Sequence, residues 1–165
     1  MLVSGTTVKF GDNVDTDVII PGRYLILIDP KELAEHAMEG LDPTFTTKAK
    51  DGVIVVAGKN FGCGSSREQA PIALKYAGVK CVIAETFARI FYRNAINIAL
   101  PVVECKGVSD AIEEGDELAV DLTTGAVKNQ SKNRTLQATQ LPAFILEILS
   151  DGGLIENLRK RIKQK

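Results

Sequence analysis

The sequence predicts an α/β protein built on a mostly parallel core sheet, and three observations carry that prediction. Short apolar runs rich in β-branched residues recur at 53–57, 80–84 and 100–104, each of strand length. Between them lie apolar residues at helical spacing, first Ala70, Ala73, Leu74 and Ala77, then Phe87, Ile90, Phe91, Asn94 and Ile98. Two strand–helix–strand units in succession need crossovers, and crossovers make parallel neighbours. After Cys105 the pattern changes to short alternating segments, which predict a β-rich appendage.

Residues 6–10 alternate weakly and predict an edge strand ended by Gly11. The polar stretch Asp12 to Asp17 is rich in turn formers. Residues 18–28 are apolar but broken by Pro21-Gly22, predicting a short strand, a turn and an apolar loop. Asp29 followed by Pro30 is an N-cap with proline at the first helical position, so a helix is expected to run to Gly40. Residues 44–50 show no period and predict a polar connection. The helices after the strands at 53–57 and 80–84 are expected from Glu68 to Ala77, closed by Gly78, and over 86–98. A short helix is expected at 109–114, strands at 117–122 and 126–128 about the turn 123–125, and a further strand at 135–138. Residues 142–163 read as two helices broken at Gly152-Gly153. The 165 residues are expected to form one domain.

Composition narrows the function classes. Hydrophobic content of 45% and charged content of 25% are those of an ordinary globular protein. A net charge of −1 gives no electrostatic footprint for nucleic acid, and the basic end 159–165 reads as a solvated helix terminus. No apolar run approaches the roughly 20 residues of a membrane span, and residues 1–5 do not resemble a signal peptide. Cys63, Cys81 and Cys105 are odd in number and far apart, which argues for reduced thiols in the cytoplasm and against a disulfide framework or zinc site. They also lack the clustering that holds an iron–sulfur cluster. His36 is the only histidine and is expected at the surface, so histidine-dependent nucleophilic catalysis is hard to build.

The most informative stretch is Asn60-Phe61-Gly62-Cys63-Gly64-Ser65-Ser66-Arg67-Glu68. It joins a strand to a helix N-terminus through a glycine-rich turn, which aims free N–H groups, the helix dipole and Arg67 at one spot suited to an anion. Ser65 and Glu68 also match the S-x-x-E capping box, a purely structural reading. Arginine in the first helical turn opposes the dipole and suggests a missing negative partner. The stretch lacks the Gly-Lys-Ser/Thr of a Walker loop and the third glycine of a dinucleotide fingerprint. Cys63 invites a nucleophile reading, but without a histidine to activate it a small packed thiol is the alternative. Asp15, Thr16 and Asp17 read as a turn or as support for a site. Tyr24, Leu25, Ile26 and Leu27 read as ordinary core or as a substrate contact.

These residues, with Gly11-Asp12-Asn13-Val14-Asp15-Thr16-Asp17 and Gly22-Arg23-Tyr24-Leu25, closely resemble the small subunits of 3-isopropylmalate dehydratase, which correspond to the swivelling domain of the aconitase superfamily. The resemblance covers nearly the whole chain in motif order and length. It implies a three-layer β/β/α domain of the aconitase C-terminal type. It implies a hydro-lyase active only with a large subunit, whose cysteines hold a 4Fe-4S cluster while this chain binds no metal. By the same match Ser65 would be the catalytic base, Arg67 and Ser66 would bind a substrate carboxylate, and Arg23 would assist them. Asp15, Thr16, Asp17, Asn60, Gly62, Cys63 and Gly64 would support the active-site loop, and Tyr24 to Leu27 would choose the substrate. Relatives that accept a third carboxylate look to place an arginine where Ile26 stands. A carboxylate against Ile26 and Leu27 would lack a charge partner, whereas an alkyl group would gain about 0.8 kcal/mol per buried carbon. The expected reaction is interconversion of 2- and 3-isopropylmalate in leucine biosynthesis. The alternatives are a related dehydratase acting on citramalate, dimethylmalate or homoaconitate, and a non-catalytic anion-binding module.

Overall fold

A computed structural model describes residues 1–164. The valine-rich run Val53–Ala57 forms β2, every residue of it buried, and it lies between β1 (Leu2–Lys9) and β3 (Val79–Ala84). Beyond β3 lies β4 (Val102–Glu104). All three pairings among these four strands are parallel. Each crossover advances one strand in the same direction, and right-handed connections therefore put their helices on one face. Those helices are α4 (Gln69–Ala77) and α5 (Arg89–Asn97), which touch each other. The connection from β1 to β2 carries α1 (Thr16–Ile19), α2 (Pro30–Ala34) and α3 (Phe45–Ala49), of which α1 and α2 pack against α4.

The β-rich appendage belongs to the same sheet. After α6 (Val108–Ala111), the strands β5 (Glu117–Asp121), β6 (Ala126–Asn129) and β7 (Arg134–Gln137) add antiparallel beyond β1, giving the order β4-β3-β2-β1-β5-β6-β7. Strand β1 is the hinge between the halves, its last residues pairing with β2 and its first with β5. The expected edge strand at 6–10 is thus central. Its weak alternation reflects its place beside β2, where Thr7 and Val8 are both buried in succession. The chain ends in α7 (Ala143–Ser150) and α8 (Leu154–Lys163), broken at Gly152-Gly153 as expected.

Four other expectations change. Residues 16–19 form a helix where the end of a polar loop and the start of a strand were expected, because the Asp15 carboxylate accepts from the Val18 N–H and starts a turn. The helix opened by Asp29 and Pro30 stops at Ala34, and Met38 then sits fully buried at φ 60, a conformation that ends helical winding. Residues 45–49 form α3, with Phe45 and Ala49 fully buried. Helix α5 starts at Arg89, and Ile90 faces solvent at 49% exposure while Phe91, Ala95 and Ile96 are buried.

Two fold-level features are testable. Gly78 closes α4 at φ 116, and a Cβ there would lie 2.0 Å from the Ala49 carbonyl oxygen. Gly78→Ala is expected to cost about 3 kcal/mol through strain and overlap, lowering the thermal midpoint by roughly 9 °C at about 2 cal/mol/K of unfolding entropy per residue; a calorimetric scan checks it. Burial in β3 pushes the Cys81 thiol up to about 12 from 9.0. A raised value favours the neutral thiol in the folded state, so its contribution is intact below pH 9 and is lost progressively as pH rises toward 12. The gap in unfolding free energy between the wild type and Cys81→Ala, read from urea melts, is expected to shift against the wild type between pH 8 and pH 10.5.

Candidate active site

Strands β1, β2 and β3 deliver three loops to one end of the sheet, the carboxyl end where open α/β sheets bind ligands. The middle loop is laced to both neighbours. On one side the Gly62 N–H donates to the Val14 carbonyl at 2.7 Å and the Thr16 N–H donates to the Cys63 carbonyl at 2.8 Å. On the other, the Phe61 N–H donates to the Thr86 carbonyl at 3.0 Å and the Ala88 N–H donates to the Phe61 carbonyl at 2.9 Å. Residues 61–63 therefore continue the parallel ladder, bridging Asp15 on one flank and Phe87 on the other. The lacing demands close approach. Gly62 has φ 79, and a Cβ on it would lie 2.2 Å from Cγ of Phe91. Asn13 and Asn60 take the left-handed conformation that their type tolerates, and the Asn60 side-chain amide donates to Oδ1 of Asn13 at 3.1 Å.

Ser65 does not cap α4. The helix carries no side-chain cap, and the Ser65 hydroxyl instead lies 3.3 Å from the Thr16 hydroxyl. Thr16 Oγ1 donates to the Ser65 carbonyl at 3.0 Å, so its one proton is committed and the Ser65 hydroxyl is the donor between the two side chains. A tertiary contact has displaced the local capping box, leaving Ser65 exposed and the first-turn N–H groups of α4 without a side-chain acceptor. Ser66 and Gly64 are exposed beside it.

Arg67 already has a negative partner, contrary to the expectation of a missing one. Its Nη1 donates to Oδ1 of Asp17 at 2.8 Å and to the Ile20 carbonyl at 3.1 Å. The same Asp17 oxygen accepts from the Gly22 N–H at 3.1 Å. The Arg67 guanidinium, helped by that N–H, holds Asp17 below the usual carboxylate range. Asp15, Thr16 and Asp17 thus have separate tasks: starting α1, holding Ser65 and aiming Arg67.

Arg23 and Tyr24 make their own contacts beside this cradle. Residues 22–24 form a single 3-10 turn, and the Arg23 guanidinium bonds Glu39 and lies over the Tyr24 ring. Tyr24 stacks on His36, which is half-buried rather than free at the surface. Leu25 and Leu27 pack partly against the core, whereas Ile26 is 84% exposed. The core reading of Tyr24 to Leu27 therefore fails for Ile26. Sequence reasoning passed over Thr86, whose hydroxyl accepts the Asn60 N–H at 2.8 Å, and Phe91, the floor under Gly62. Neither is signalled locally, although Phe91 belongs to the buried stripe of α5.

Among the described residues, no group of three or more His, Cys, Asp or Glu side chains could hold a metal ion. Cys81 and Cys105 are buried in the core, away from the half-buried Cys63 on the loop. Among the described residues, the thiols that could bind an iron–sulfur cluster do not come together.

Comparison with known proteins places these features. Residues 31–106 match the aconitase C-terminal domain family. The chain is 61% identical to the 3-isopropylmalate dehydratase small subunit of Halothermothrix orenii over 99% of both chains. It is 56% identical to the isopropylmalate/citramalate isomerase small subunit of Methanocaldococcus jannaschii, covering 99% of this chain and 97% of that one. The crystal structure of a 3-isopropylmalate dehydratase from M. jannaschii superposes with a TM-score of 0.92 at 51% identity, covering 98% of this chain and 95% of that chain. A shared fold, matched end to end at more than half identity, makes this chain a member of the 3-isopropylmalate dehydratase small-subunit family within the aconitase superfamily.

Proposed function

We propose that this chain is the small subunit of a cytoplasmic hydro-lyase that interconverts 2-isopropylmalate and 3-isopropylmalate in leucine biosynthesis. It acts as one swivel-type unit with a cluster-bearing large subunit. The observation that carries the proposal is the Ser65 hydroxyl, which is exposed, leaves α4 uncapped and shares its loop with the oriented Arg67. Full-length likeness to small subunits of this name supports the same reading.

The residues divide the work as follows. Arg67 holds one substrate carboxylate, with the Ser66 hydroxyl and the Gln69 N–H that opens α4 as further donors. Ser65 Oγ, as the alkoxide, takes the proton from the carbon next to the hydroxyl-bearing one. The electron pair left by that proton becomes the second bond between the two carbons as the C–O bond breaks and the hydroxyl leaves. Adding water back with the two positions exchanged gives the isomer. Alkoxide character at Ser65 needs positive surroundings in a closed site, which Arg67 and the helix N-terminus supply. A cluster held by the large subunit would supply Lewis acidity for the departing hydroxyl.

Ile26 meets the substituent. Its exposure leaves an apolar surface for an isopropyl or methyl group, and its side chain carries no charge to pair with a third carboxylate. A second substrate, citramalate, is favoured by one observation, the relative at 56% identity whose name includes it.

The test is the enzyme reconstituted anaerobically with its large subunit and assayed on both alkylmalates for the unsaturated intermediate. Ser65→Ala is expected to lower kcat by about 10³-fold, within the usual range for loss of a general base, with assembly unchanged by gel filtration. Failure of the wild-type pair to turn over any alkylmalate sinks the assignment. Ile26→Arg is expected to lower kcat/KM for isopropylmalate roughly 10–100-fold, as three carbons at about 0.8 kcal/mol each lose their contact. The same change should raise activity on a tricarboxylate such as homoaconitate, and an unchanged ranking of substrates counts against the specificity role.

A further inference from the structure

We propose that Glu39, held by His36, is a positioning residue that presets Arg23 at the root of the substrate-choosing loop; this rests on the hydro-lyase reading above. Each oxygen of Glu39 has its own partner. Oε1 accepts from Nη2 of Arg23 at 2.5 Å, and Oε2 lies 2.9 Å from Nδ1 of His36. The other side of the circuit is closed by rings. Tyr24 stacks on His36 with centroids 3.6 Å apart and planes 7° from parallel, and the Arg23 guanidinium carbon lies 4.6 Å from the Tyr24 centroid.

The base of this circuit is rigid. Met38, between His36 and Glu39, is fully buried at φ 60, and its N–H donates to the Ile19 carbonyl at 2.9 Å. That carbonyl ends α1, the helix that Asp15 starts beside the Ser65 loop. The presented end is open: the Arg23 side chain is 66% exposed and that of Glu39 27%. Burial alone would raise Glu39, but hydrogen bonds from Tyr24 and His36 and the charge of Arg23 outweigh it and hold the group below the usual carboxylate range. It is therefore an anion at neutral pH.

An ion pair this exposed adds little to folding. Its consequence is a long, rotamer-rich side chain stacked and aimed before a substrate arrives. Ordering Arg23 in advance removes an entropy loss that a substrate carboxylate would otherwise have to offset. The effect belongs in KM more than in kcat.

The experiment uses the reconstituted two-subunit enzyme carrying Glu39→Gln, Arg23→Gln or both, with His36→Phe as an independent probe that keeps the ring stack and removes the Glu39 contact. Glu39→Gln is expected to raise KM for isopropylmalate about tenfold with kcat within about twofold. The double variant is expected to match Arg23→Gln alone, because Glu39 acts only through the arginine. His36→Phe is expected to raise KM about threefold. Additive effects in the double variant, or an unchanged KM in both Glu39→Gln and His36→Phe, overturn the proposal while the wild-type activity still stands. A wild-type pair without activity overturns the hydro-lyase reading itself.

Discussion

The close approach of Gly62 to Phe91 is the constraint on which the rest of the site depends. With no side chain at Gly62, the loop after β2 drops onto the ring and its amide reaches the Val14 carbonyl. That seam brings Thr16 to Cys63 and then to Ser65. The Phe91 ring is itself held edge-on by Phe61 and stacked with Phe87, the two residues that bridge the loop's other edge. A hydrophobic core contact and a hydrogen-bond ladder thus specify the same loop path. Each has only one arrangement that satisfies the other, which is how a loop comes to be as ordered as the strands it follows.

Asp17 plays the matching part in the electrostatics. Arg67 lies just before α4 rather than in its first turn, still facing the positive end of the dipole, and Asp17 offsets that cost by accepting from Arg67 and Gly22 together. The Asp17 side chain is 68% exposed, so solvent screens the pair and its share in stability is small. Its value lies in direction. The guanidinium is tied through Nη1 to Asp17 and to the Ile20 carbonyl, and a fork with one nitrogen fixed can turn only so far. The loop bearing Arg23 starts at Gly22, so the same carboxylate couples the cradle to the substrate-choosing segment.

The central strands were legible because their signal is local. Val53–Ala57 is buried on both faces and therefore reads as an unbroken apolar run, and Gly78 ends α4 where a left-handed cap is needed. Helix α1 was not legible, since Val18, Ile19 and Ile20 together look like a strand and only the Asp15 cap argues otherwise. The capping box at Ser65 shows the limit most clearly. The pattern is present, yet the hydroxyl turns to Thr16, which lies 49 residues earlier and reaches Ser65 only through the seam. His36 and Glu39 were invisible for the same reason, because their partners come from a separate turn. The family resemblance identified the cradle, but it could not say that Arg67 is already paired.

The exposed groups argue that this chain presents half of a site. Ser65 and Ser66 stand in water beside a helix end without a side-chain cap, and a few residues from the cradle Ile26 and Ile28 are 84% and 92% exposed. Water levels the basicity of a serine and screens Arg67, so open as it is the loop cannot hold an alkoxide. Covering it changes both terms at once. Removing solvent strengthens every interaction with Arg67 and the helix N-terminus, while burial of the two isoleucines supplies favourable free energy for the closure itself. On the proposed reading the large subunit provides that cover, and the apolar residues that help choose the substrate also help drive the step that makes Ser65 reactive.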